Sequence, residues 1–136
     1  MEVVRVFSSF SDLMRFLDRE IQRYRRELGR VLRLLERLHA RYEVFEGLRR
    51  LLTKSVGPEV SNTVRLPSIT LRLEHPIKEQ IDALEEAAES LNRIITGLEG
   101  VRRDLGRFPE LMDVRGLEIE VIFIDGIPKI IHVKTK

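Results

Sequence analysis

Between Phe10 and Val56, apolar residues recur at alternating steps of four and three: Phe10, Met14, Leu17, Ile21, Tyr24, Leu28, Val31, Leu35, Leu38, Tyr42 and Phe45. A mean step of about 3.5 keeps them on one side of a slightly underwound helix, where a second helix can cover them. The pattern predicts one helix over residues 9–56, about 70 Å long. Leu32, Leu34 and Leu48 widen the stripe, which suits a helix with more than one neighbour. After Phe45 the heptad meets Arg49, while Leu48, Leu52 and Val56 run one residue early, so a local distortion is expected near Gly47.

The flanking segments change period. Residues 2–7, EVVRVF, are short and β-branched and predict a strand. Ser9 and Asp12 have the spacing of a capping box at the start of the long helix. Gly57-Pro58 ends that helix. Within the linker 57–75, alternation over 62–74 predicts a second strand, which Pro67 confines to an edge or splits in two. Pro76 opens a second helix, 76–107, with its own heptad stripe from Ile77 to Leu105, an acidic start and a basic end. At about 46 Å it is too short to cover the first helix along its length, and the overhang asks for a second chain.

Residues 116–135 read as a β-hairpin around Asp125-Gly126. A two-residue turn pairs Ile124 with Ile127 and mixes charged and apolar groups on each face. A three-residue loop, Asp125-Gly126-Ile127, pairs Ile124 with Pro128 instead, segregates the faces and sets Glu118 opposite Lys134 and Glu120 opposite His132. The second register is therefore expected, with Gly126 or a neighbour in the left-handed region. The fold class that follows is α+β, in the order β-α-β-α-β-β. A long antiparallel, coiled-coil-like helical hairpin carries a small sheet built from the N-terminal strand and the C-terminal hairpin. Residues 1–136 are expected to form a single elongated domain.

Net charge is only +2, which makes no global case for nucleic acid. The charge is uneven, however. From Arg15 to Arg41, nine arginines face four acids (+5), whereas residues 74–100 hold two bases and seven acids (−5). Arg15, Arg19, Arg23, Arg26, Arg30, Arg33, Arg37 and Arg41 form a ladder at steps of three and four, opposite the apolar seam. Such guanidinium groups can track a phosphate backbone, meet a partner's acidic face, or form a solvated surface laced with local ion pairs. Cysteine is absent, so disulfide and thiol chemistry are excluded. Two Asn, two Gln and 34% charged residues resemble the composition of thermophile proteins. No apolar run suffices to span a membrane and no signal-peptide pattern is seen, so a cytoplasmic location without membrane contact is expected.

The ten seam residues Met14, Leu17, Ile21, Tyr24, Leu28, Val31, Leu35, Leu38, Tyr42 and Phe45 are the expected interface of a homodimer or higher oligomer. The histidines, His39, His75 and His132, lack ligand-spaced partners, and no Gly-rich phosphate loop, G-x-S-x-G or H-E-x-x-H occurs. Neither a metal nor a cofactor is expected. The leading expectation is a non-enzymatic scaffold or adaptor. The alternative is a nucleic-acid-associated protein that uses the ladder.

The stretch LEIEVIFIDGIPKIIHVK resembles the central hairpin of the PD-(D/E)xK nuclease superfamily. In that motif two acids hold a divalent metal, and a lysine positions or activates water. The resemblance implies Glu120 as the first carboxylate and Lys134 as the lysine, with His132 standing where the second acid belongs. It covers about twenty residues and implies a degenerate relative rather than an active enzyme.

Overall fold

The computed structural model describes residues 1–56, 63–72 and 77–136. The elements are β1 (Glu2–Phe7), α1 (Phe10–Val56), β2 (Thr63–Arg65), β3 (Thr70–Arg72), α2 (Ile77–Gly106), a 3-10 turn (Pro109–Asp113), β4 (Leu117–Ile124) and β5 (Ile127–Thr135). The chain is α+β, and it packs as two compact units. One holds Met1–Gly29 and Glu89–Lys136; the other holds Arg30–Ala88.

In the first unit, Ser9 caps α1 by accepting the Asp12 backbone N–H at 3.1 Å. Only half of the expected capping box forms, because the Asp12 carboxylate accepts the Ser8 hydroxyl at 2.5 Å. The sheet has the order β1-β4-β5, antiparallel throughout. Its inner face supplies Ile119, Val121 and Phe123, which pack with Phe10, Leu13, Leu17 and Ile21 of α1 and Leu98 of α2. Leu13 is fully buried and Met14 only partly, so the helix turns Leu13 inward where the heptad reading placed Met14. Arg102 pairs with Asp18, and Arg25 with Glu99 at 3.0 Å, which sets these parts of α1 and α2 antiparallel.

The hairpin contains both registers considered for it. From Leu117↔Thr135 to Ile122↔Ile130 the ladder follows the expected pairing, with Glu118 opposite Lys134 and Glu120 opposite His132. Next to the turn it shifts to Phe123↔Pro128 and Ile124↔Ile127, leaving Lys129 unopposed as a bulge. The expected three-residue loop is thereby corrected to a two-residue turn. Asp125 and Gly126 both take positive φ, 52° and 83°, as a type I′ turn requires.

In the second unit, Leu35 and Leu38 of α1 pack with Ile77 and Ile81 of α2, flanked by Val31, Tyr42, Phe45, Leu84 and Ala88. Pro67 splits the linker strand in two. The resulting strands β2 and β3 pair antiparallel, and Leu66 N–H donates to the Ile69 carbonyl at 2.8 Å. The distortion expected at Gly47 is absent and α1 runs through it. A helical glycine costs only about 1 kcal/mol, too little by itself to break a long helix. Gly57-Pro58, Asn62, His75 and Pro76 lie outside the described residues. Among the described residues no helix is long and apolar enough to cross a membrane.

Candidate functional site

The ten residues expected at an oligomer interface are used within the chain. Leu17 and Ile21 lie in the first core with Met14 and Tyr24 packed against them. Leu35 and Leu38 lie in the second, with Val31, Tyr42 and Phe45 beside them, and Leu28 is half-buried. Cover for these residues comes from α2 and the sheet, because the stripe on α2 matches the seam. The leucines that widened the stripe, Leu32 and Leu34, are exposed.

The hairpin brings Glu120, His132 and Lys134 together on the outward face of the sheet. His132 is directly opposite Glu120, and Lys134 reaches diagonally to donate to Glu120 Oε2 at 2.9 Å. That hydrogen bond, and then the ammonium charge, hold the Glu120 carboxyl below its ordinary value and raise Lys134. The Lys134 side chain is half exposed. Among the described residues no group of three His, Asp or Glu side chains converges on a point where a metal ion could be held. His39 stands 3.4 Å from Glu85, both half exposed, as a flank residue would.

Every arginine of the ladder is exposed. In the first unit Arg15 pairs with Asp12 at 3.1 Å and Arg23 with Glu20 at 2.5 Å. Arg19 and Arg26 line a groove that also contains Arg5 of β1. Arg30, Arg33, Arg37 and Arg41 belong to the second unit. Arg25, which the ladder omitted, reaches Glu99 of α2.

Two features escaped the sequence reading. Arg5 lies in a strand, remote in sequence from the arginines it joins. The outward apolar positions of β1 and the hairpin become one surface only when the strands are placed in register. No family model, curated protein or solved structure matches this chain.

Proposed function

We propose that this is a non-enzymatic assembly protein that associates with a second copy of itself through the outward face of the β1-β4-β5 sheet. One observation carries the reading. Val4, Ile122 and Ile130 lie opposite one another across all three strands, with Val6 and Ile124 beside them. Val4 is 52% exposed, Val6 58%, Ile124 38% and Ile130 48%. An antiparallel sheet that faces water on one side ordinarily alternates to polar residues there. In this sheet Glu118, Glu120, His132 and Lys134 gather at one end of that face, and Glu2 lies opposite Ile124 at the other.

The apolar row is self-complementary. A two-fold axis along β4 sets Val4 over the partner's Ile130 and Ile122 over the partner's Ile122. Glu120 carries its own counter-charge in Lys134, so two such faces meet as neutralised pairs. Three strands about 4.8 Å apart, four to six residues long at about 3.4 Å each, present about 200–300 Å² per copy. That is well under the roughly 800 Å² per partner of a standard interface, so the dimer is weak and concentration-dependent.

Light scattering across about 10 μM to about 1 mM tests this. The mass should climb from 15.9 kDa towards twice that value. Val6→Lys and Ile130→Lys, at exposed positions, should hold it at one chain. A wild-type protein that stays at one chain throughout, or variants that associate as it does, would overturn the reading.

A further inference from the structure

We propose that the groove between β1 and the exposed side of α1 binds the phosphate backbone of a nucleic-acid duplex. This inference is independent of self-association. The groove is open to solvent, lies wholly within the first unit and has a volume of about 630 Å³. Four arginines line it: Arg5 from β1, and Arg19, Arg23 and Arg26 from α1. Of its two acids, Asp18 pairs with Arg102 outside the groove and Glu20 with Arg23 inside it. The Arg19 charge is felt by Asp12 two turns back, but no ion pair forms between them. Arg5, Arg19 and Arg26 therefore keep their donors for a ligand.

The geometry suits phosphate. The Arg5 guanidinium lies over the Phe16 ring at 4.3 Å, which holds it at the wall of the groove. Arg23 lies 4.3 Å over Tyr24 while bonded to Glu20, a fixed positive neighbour between the other two. Arg19 and Arg26 are seven residues apart, about 10 Å along the helix. That matches the axial rise of about three nucleotides in one strand. Arginine forks take phosphate oxygens in pairs, and the groove contains no lysine. Phe16 is capped by Arg5, so it offers no stacking platform for unpaired bases. The contact is therefore with the backbone and does not read sequence.

Fluorescence anisotropy with a labelled duplex of about 20 base pairs provides the test. Neutralising about three phosphates gives a log–log salt slope of about −2.7, or about 40-fold weaker binding on going from about 50 to about 200 mM salt. Arg19→Glu with Arg26→Glu should weaken binding at least about tenfold at low salt. Arg5→Lys, which keeps the charge but loses the stacked fork, should also weaken it. Arg33→Glu with Arg37→Glu, the same charge change in the second unit, should change it less than about threefold. Circular dichroism should show each variant folded, and Arg5→Lys keeps the test valid should the double variant not fold. The proposal fails if wild type does not bind duplex at low salt. Equal weakening by both double variants, or binding of poly-glutamate as tight as duplex, would overturn it as well.

Discussion

Lys134 Nζ lies 2.9 Å from Glu120 Oε2, although the residue directly across the ladder from Glu120 is His132. The lysine therefore spans a diagonal of the hairpin and passes over the closer Glu118 position. Its hydrogen bond and charge lower the Glu120 carboxyl and raise the Lys134 amine.

The sign of the resulting pH effect follows from that direction. A carboxylate lowered in the folded state stabilises the fold at pH above its unfolded value, ordinarily about 4.5. That contribution falls away as pH drops through the lowered folded value. Lys134→Met should return the Glu120 midpoint towards its ordinary value in a carboxyl NMR titration. It should also flatten the fall in stability below about pH 4.5. An unmoved midpoint would mean that the diagonal pair does not form in solution.

Leu13 and Met14 make a sharper test of the core. Leu13 is fully buried among Leu17, Leu98 and the inner sheet residues, whereas Met14 only borders them. Leu13→Ala should cost about 2–5 kcal/mol in denaturant unfolding, because the surrounding core cannot collapse into the void. Met14→Ala should cost clearly less. The reverse order would mean that α1 is rotated by one residue about its axis.

That one-residue difference shows where the sequence was legible. A 3.5-step seam and a single long helix can be read from spacing alone, and so can β1 and the bounds of α2. The seam cannot say whose residues cover it. Leu17 and Leu98 are far apart in the chain, and only folding shows that they share a core. Register in the hairpin was readable from charge segregation as far as Ile122↔Ile130. The bulge at Lys129 was not, because either register alone is a regular ladder and their combination has no local signature. The arginine ladder was visible as a helical period. Arg5 was not, since a strand and a helix share no period and only the placing of β1 beside α1 joins them.

Two glycines on long helices should respond in opposite directions. A Cβ at Gly47 would meet no atom within 4 Å. Gly47→Ala should stabilise by about 0.5–1 kcal/mol through helix propensity alone. At Gly97 a Cβ would sit 2.6 Å from Ile127 Cδ1 and 2.9 Å from Ile127 Cγ2, so Ile127 must shift. Gly97→Ala should therefore lose about 1–3 kcal/mol despite the same propensity gain. Adding Ile127→Val removes the nearer atom and should recover part of that loss, which thermal melts of the two single variants and the pair would show.

The turn itself can be tested against the bulge. Gly126 has φ +83°, and an added Cβ would make only ordinary contacts, 3.5 Å from the Tyr24 hydroxyl and 3.7 Å from Ile94. The cost of Gly126→Ala is thus conformational, about 1–2 kcal/mol for a left-handed position. Deleting Lys129 acts differently. It removes the unopposed residue and leaves Phe123↔Pro128 and Ile122↔Ile130 as consecutive pairs of a regular ladder. Glu120 would keep His132 opposite it, and the outward apolar row would keep its order. The deletion should therefore preserve the cross-strand NOEs between Glu120 and His132 and between Glu118 and Lys134, with a changed twist near the turn. If those NOEs shift to new partners, the pairing is set by the turn and not by the segregated faces of the ladder.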